Sequence, residues 1–178
     1  MAKYDAYKLA FNQIRRALES KPPFPIEAIA IEESILFDRL WSAVTSLVPN
    51  APHNAPATFG GLLKLLCDQL SGDVRKEFES LEEALHEQGG VRGLKTWKDK
   101  RNKFAHGLAK SAKPGEPTEI GSHVFYEEGL SVAKDGLALV SAVKAWSTKS
   151  IRKAVVKRTE NGMASQYKKK GDANSIGS

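Results

Sequence analysis

The sequence lacks the features that define several protein classes. It contains a single cysteine, Cys67, so an internal disulfide and a cysteine metal site are both excluded. No apolar run approaches the roughly 20 residues that a transmembrane helix needs, and the N-terminal segment has no apolar stretch typical of a secretory signal. A glycine-rich phosphate loop is also absent, which argues against a nucleotide hydrolase. We therefore expect a cytoplasmic protein that uses no membrane, metal or cofactor.

Composition and charge describe one soluble domain with two basic segments. The 178 residues are 41 % hydrophobic and 27 % charged, which is typical of a globular protein. Residues 149–178 carry eight basic and two acidic side chains, whereas the rest of the chain is neutral, so the net charge of +6 lies at the C-terminal end. Residues 92–113 form a second basic segment, with a single acidic side chain. Such segments suit an anionic partner such as nucleic acid, although a charged run is equally often a solvated helix face.

Apolar residues recur every three or four positions along almost the whole chain, which predicts an all-α fold. We expect a compact bundle of about five to six helices in a single domain over residues 1–158. A disordered basic tail is expected over residues 159–178, because this segment is poor in apolar side chains. The fifth helix is predicted over residues 92–112 and the last over residues 128–156. The segment 123–126 is the one candidate for a short strand.

Two charged residues interrupt the apolar stripes of the predicted helices. Arg101 stands between Trp97 and Phe104 in the stripe of the fifth helix, and Glu33 precedes Leu36 in the stripe of the second helix. A charge next to a core is tolerated only when it is paired. We therefore predict that these two helices face each other and that Glu33 pairs with Arg101. An ordinary salt bridge without any chemistry is the alternative at this point.

Arg101 is followed directly by Asn102 and, five residues after the arginine, by His106. This run, RNKFAH, resembles the signature of the HEPN superfamily, in which an arginine, often with a polar neighbour, precedes a histidine on one helix. The predicted bundle, with its motif on a late helix and an acidic, largely apolar helix near the start, resembles the family as well. The resemblance implies a metal-independent endoribonuclease, often a toxin or phage-defence effector that acts as a homodimer. A neutralising antitoxin protein is then a candidate partner.

The residue types of the motif fit this chemistry. RNA is cut without a metal when its 2′-hydroxyl attacks the neighbouring phosphorus, which requires proton transfer and positive charge near the phosphorane. His106 is assigned the proton transfer because imidazoles titrate near neutral pH. Arg101 is assigned the stabilisation of the phosphorane, and Asn102 the orientation of the phosphate or the imidazole. Glu33 is expected to hold Arg101 in position.

Residues outside the motif complete the predicted site. Nearby lysines are expected to attract RNA through its phosphates, namely Lys95, Lys98 and Lys103. Trp97 is expected in the core rather than stacked on a base. The remaining histidines, His53, His86 and His123, lack the spacing of a metal pair and are expected at the surface.

One chain supplies only one histidine of this kind. Two motifs placed across a two-fold axis would provide two imidazoles and two guanidinium groups, so we expect a composite site in a homodimer. Two other interpretations stay open. The first is a catalytically inactive HEPN-like module that binds RNA or a protein. The second is a structural bundle whose basic tail binds nucleic acid by itself.

Overall fold

In a computed structural model that describes residues 3–83, 92–109 and 123–173, the chain folds into α-helices alone. The all-α prediction is confirmed for these ranges, which contain six helices and no strand. They are α1 (Lys3–Glu19), α2 (Pro25–Leu47), α3 (Phe59–Gln69), α4 (Gly72–Glu82), α5 (Leu94–Ala109) and α6 (His123–Ala173). No helix in the described part of the chain is long and apolar enough to cross a membrane.

Helix α2 lies at the centre of the bundle. It packs most extensively on α6 and is flanked by α1 and α3. Its most deeply buried positions are spaced by four residues and include Leu36, Leu40 and Val44, none of which is exposed. Glu32 occupies a position in this buried series, whereas Glu33 lies at its edge. The sequence pattern predicted Glu33 as the charged residue within the stripe. This prediction is wrong, because the buried residue is Glu32.

Helix α5 is fixed to the bundle by Trp97. The indole is fully buried, meets the ring of Phe59 edge-on with 6.0 Å between centroids, and donates a hydrogen bond of 2.9 Å from Nε1 to the carbonyl of Val132. Phe104 is buried on the same face two turns further along the helix, and its ring stacks on that of Phe125. The expectation that Trp97 lies in the core is confirmed, and its packing aims the polar face of α5 at α2 and α3.

Helix α6 is longer than predicted at both ends. It begins at His123, so residues 123–126 form its first turn and not a strand. Its helical backbone runs to Ala173, into the segment 159–178 for which a disordered tail is predicted. No proline occurs in residues 159–173, and lysine, which favours helix, is frequent there. The predicted helix end at residues 110–112 and the last five residues of the predicted tail lie outside the described ranges.

Cys67 lies on α3 and is partly buried against the core. Its thiol donates a hydrogen bond of 3.0 Å to Oε2 of Glu82 on α4. Burial, reinforced by this bond, raises the pKa of Cys67 to about 11. The thiol therefore stays protonated near neutral pH and is a poor nucleophile.

Candidate functional site

The polar residues of the RNKFAH run open into a cavity of about 520 Å³ between α2, α3 and α5. Helix α5 contributes Lys98, Arg101, Asn102 and His106 to its wall, and α2 contributes Glu33. The structure thus brings together the three residues predicted for catalysis, the carboxylate predicted to hold the arginine, and one of the predicted lysines. Helical spacing explains why these four residues of α5 line one cavity, since they lie within an arc of about 140° around the helix axis.

Arg101 is held by two neighbours. Its Nη2 forms an ion pair with Oε1 of Glu33, and its Nη1 donates a hydrogen bond of 2.7 Å to Oδ1 of Asn102. The predicted contact between the two helices is therefore present, with side chains that are 18 % exposed for Arg101 and 33 % for Glu33. Burial lowers the pKa of Arg101, yet a guanidinium stays charged at any physiological pH.

The guanidinium of Arg101 keeps donors for a ligand. Its Nε is buried and has no hydrogen-bond partner in the described part of the chain, so the donors that can meet a ligand are those left on Nη1 and Nη2. A guanidinium has five N–H groups, and Glu33 and Asn102 engage one nitrogen each. The remaining N–H groups are held in a fixed plane by those two contacts. This arrangement favours recognition of a phosphate by two hydrogen bonds.

His106 lies one helical turn after Asn102 and its side chain is exposed. Within residues 3–83, 92–109 and 123–173 its imidazole has no hydrogen bond or ion pair, including to Asn102. Asn102 was predicted to orient either the phosphate or the imidazole. The structure shows no contact between Asn102 and the imidazole, whereas Asn102 does accept a hydrogen bond from Arg101. A ring without partners among the described residues is available to exchange protons with a ligand in the cavity.

The first turn of α3 forms the wall opposite the motif. Thr58 caps this helix by accepting a hydrogen bond of 3.0 Å from the amide of Gly61. The amides of Phe59 and Gly60 have no partner within the helix, and a helix N-terminus carries partial positive charge. Lys98 lies over this turn, since a Cβ on Gly60 would be 3.9 Å from its Nζ. Gly60 and Gly61 were recognisable in the sequence as a helix start, but their position opposite the motif was not predicted.

The three lysines predicted to bind RNA lie in different places. Lys98 lines the cavity. Lys95 is exposed on the same face but lies about 9 Å before Arg101 along the helix axis, where its Nζ is 3.8 Å from Oε1 of Glu83. Lys103 is turned to another side of α5 and lines a separate crevice with Glu128. The structure therefore places only Lys98 beside Arg101 and His106.

Glu32 is the buried acid that the sequence analysis missed. It is 0 % exposed, and neither of its carboxyl oxygens has a hydrogen-bond partner in the described residues. Burial raises the pKa of Glu32 to about 9, so the group is neutral at pH 7. A Cβ on Gly136 of α6 would collide with Glu32 Oε2 and come within 2.9 Å of Trp97 Nε1. Glycine thus allows α6 to approach the carboxyl group closely. The available signal was the spacing of four that joins Ala28, Glu32 and Leu36.

Of the remaining histidines, only His53 has a described side chain, and it does not line the cavity. His53 is exposed in the loop between α2 and α3, His86 lies outside the described residues, and His123 is the first residue of α6. In the ranges that the structure describes, no three His, Cys, Asp or Glu side chains are grouped to hold a metal ion.

Comparison with known proteins assigns no family to this chain. No protein-family model matches it, and neither a curated protein nor a solved structure does. The functional interpretation therefore depends on the residues of the cavity, which combine a guanidinium, an ammonium, an imidazole and a helix N-terminus.

Proposed function

We propose that this protein is a metal-independent endoribonuclease of the HEPN type, which cleaves RNA by attack of the 2′-hydroxyl on the adjacent phosphorus. The observation that carries the proposal is the shared cavity of Arg101, Asn102 and His106, with Arg101 held by Glu33. A salt bridge with a purely structural role needs no exposed imidazole in the same cavity. Nor does it need a second cation such as Lys98 on the same wall.

The cationic groups of the cavity bind the phosphate. Arg101 donates from its fixed guanidinium to the two non-bridging oxygens. The Lys98 ammonium and the N-terminus of α3, over which it lies, add further positive charge. These groups are in place before the substrate arrives, so they stabilise the extra negative charge of the phosphorane without reorganisation.

Proton transfer is assigned to His106. A neutral imidazole takes the proton from the 2′-hydroxyl as the bond between O2′ and phosphorus forms. The bond between phosphorus and O5′ breaks, and an imidazolium returns a proton to O5′. The products are a 2′,3′-cyclic phosphate and a 5′-hydroxyl, and no water is consumed. Asn102 keeps Arg101 aligned through the hydrogen bond to its Nη1.

The reaction uses one imidazole as base and one as acid, and each chain supplies one at this cavity. A homodimer with the two cavities facing each other across a two-fold axis supplies both. His106 is exposed on the open side of the cavity, where a second copy can approach. The proposal therefore includes a dimer as the active species.

Cleavage of RNA by purified full-length protein in excess EDTA tests the proposal. We expect His106→Ala and Arg101→Ala to lower the rate of cleavage about 100-fold or more, as is typical for loss of proton transfer or charge stabilisation. His53→Ala, which removes an exposed histidine far from the motif in sequence, is the matched control and should cleave like wild type. Equal rates for all four proteins would contradict the proposal.

The dimer is tested separately. Sedimentation velocity and cleavage rates are measured over the same range of protein concentration, and specific activity should rise in step with the dimer fraction. A monomer that cleaves RNA at full specific activity would refute the composite site. Expression of wild type, but not of His106→Ala, should arrest the growth of bacterial cells if the enzyme is a toxin.

A further inference from the structure

A second, larger groove lies between α1 and α6, away from the motif. Its volume is about 940 Å³, and none of the residues that line it lines the cavity of Arg101 and His106. The residues of its wall include seven cations and no carboxylate. They are Lys8, Arg15, Arg39, Lys144, Lys149, Arg152 and Lys153. We call this surface the α1–α6 groove.

Most of this charge is not neutralised by the protein. Glu77 of α4 pairs with Lys149 at 2.8 Å and with Lys153 at 3.6 Å, and the pKa of Glu77 is lowered chiefly by Lys149. In the part of the chain that the structure describes, Lys8, Arg15, Lys144 and Arg152 form no ion pair. Neighbouring cations repel each other, so an anion bound among the four unpaired ones would relieve that repulsion.

Two of the cations are held over aromatic rings. The guanidinium carbon of Arg39 lies 3.9 Å from the ring centre of Tyr7, and Nζ of Lys144 lies 5.7 Å from that of Phe11. These contacts order the cations on the floor of the groove. The rings of Tyr7 and Phe11 are themselves half-buried in the wall of the groove.

The shape of the groove favours an evenly charged chain. The α6 wall runs from Ser141 to Lys153, which is about 18 Å along the helix axis. That length accommodates about five nucleotides of one strand at a rise of 3.4 Å. We propose that the α1–α6 groove binds the phosphate backbone of a single-stranded nucleic acid. It reads charge rather than sequence and adds affinity that the motif cavity does not supply.

Binding measurements test this groove independently of cleavage. The probe is a fluorescein-labelled single-stranded RNA of mixed sequence and about 20 nucleotides, long enough to span the groove. Fluorescence anisotropy is measured in EDTA, with His106→Ala in every protein so that the probe stays intact. The groove variant carries Arg15→Gln, Lys144→Gln and Arg152→Gln. The matched control carries Lys21→Gln, Lys76→Gln and Lys134→Gln, three exposed lysines outside both the groove and the motif cavity.

The salt dependence gives the sharpest readout. Each phosphate contact contributes about 0.7 to the slope of the logarithm of the binding constant against the logarithm of salt concentration. Loss of three contacts should therefore reduce that slope by about 2 and weaken binding about tenfold or more at low salt. The control triple should change both values much less, and single-stranded DNA of the same length should behave like RNA.

Two results would overturn the proposal. The first is an equal loss of affinity and slope in the groove and control triples, because net charge alone would then account for binding. The second is loss of poly-glutamate binding in the groove triple while RNA binding is retained, which would make the groove a site for an acidic protein. A wild-type protein that fails to cleave RNA but shows the expected difference between the triples would refute the nuclease and leave the groove standing.

Discussion

The buried carboxyl group of Glu32 should make the stability of the protein depend strongly on pH. Its pKa is about 9 in the folded protein and 4.5 in the unfolded chain. Between these values the folded state keeps a proton that the unfolded state has lost, so the free energy of unfolding falls as pH rises. The fall is about 1.4 kcal/mol per pH unit for one group. Stability from the neutral acid is complete below pH 4.5 and is lost as pH rises through about 9.

The substitution Glu32→Gln removes this dependence while keeping the shape of the side chain. At pH 7 the ionisation of Glu32 in the unfolded chain costs the wild type about 3 kcal/mol of stability. A buried amide without partners has a penalty of its own, so the pH trend is more informative than the absolute difference. The free energy of unfolding of the variant minus that of wild type should increase by about 4 kcal/mol from pH 5 to pH 8.

Urea unfolding of both proteins at several pH values measures this difference. Groups that titrate in both proteins cancel in the subtraction, so the trend reports Glu32 alone. Glu27→Gln, which changes an exposed glutamate on the same helix, is the control and should show a flat difference. A flat difference for Glu32→Gln would refute the reasoning, because it would mean that Glu32 ionises alike in the folded and unfolded states.

Three further substitutions test the packing and the site. Glu33→Gln should lower the free energy of unfolding by only about 1 kcal/mol, because the ion pair is partly exposed. It should also lower the cleavage rate, because Arg101 is held less firmly. Unchanged cleavage would contradict the positioning role. Gly136→Ala should destabilise the fold by about 1–3 kcal/mol in a urea titration, because its Cβ overlaps a carboxyl oxygen of the α2 core, and wild-type stability would disprove that overlap. In the His106→Ala protein, Lys98→Ala should weaken RNA binding more than Lys103→Ala does, because of these two lysines only Lys98 lines the motif cavity. Equal effects would contradict RNA binding in that cavity.

The helices and the pairing of Glu33 with Arg101 were predictable because the information is local. Amphipathic spacing identifies the buried face of each helix, and prolines mark several of the boundaries. The motif arginine requires a charge partner, and the pattern assigned it to Glu33, which lies at the edge of the buried series rather than within it. The structure contains this pair.

The role of Glu32 was not predictable from spacing alone. Glu32 and Glu33 are neighbours, only 100° apart on the helix, and both adjoin the apolar stripe. Which of them enters the core depends on Gly136, more than 100 residues away in the chain, which leaves room for one carboxyl group between α2 and α6. Tertiary packing of this kind has no signature in a single helix.

The α1–α6 groove was also beyond local patterns. The C-terminal basic segment was visible in the sequence, but its partners Lys8 and Arg15 belong to a helix at the other end of the chain. By contrast, the separation of Lys103 from the motif follows from helical geometry, since it lies about 200° from Arg101. A helical projection separates Lys103 from Lys98 but places Lys95 on the same side as Lys98. Lys95 differs from Lys98 by its greater distance from Arg101 along the helix axis.

The most direct measurement of the central claim is the identity of the RNA ends after cleavage in EDTA. Mass spectrometry of an oligonucleotide cut by the wild-type protein should show a 2′,3′-cyclic phosphate and a 5′-hydroxyl. The same oligonucleotide with a 2′-deoxy sugar before the cleaved bond should stay intact at that position, as should the unmodified one with His106→Ala. Cleavage of the deoxy-substituted bond, or products ending in a 5′-phosphate, would contradict attack by the 2′-hydroxyl and with it the assigned roles of Arg101 and His106.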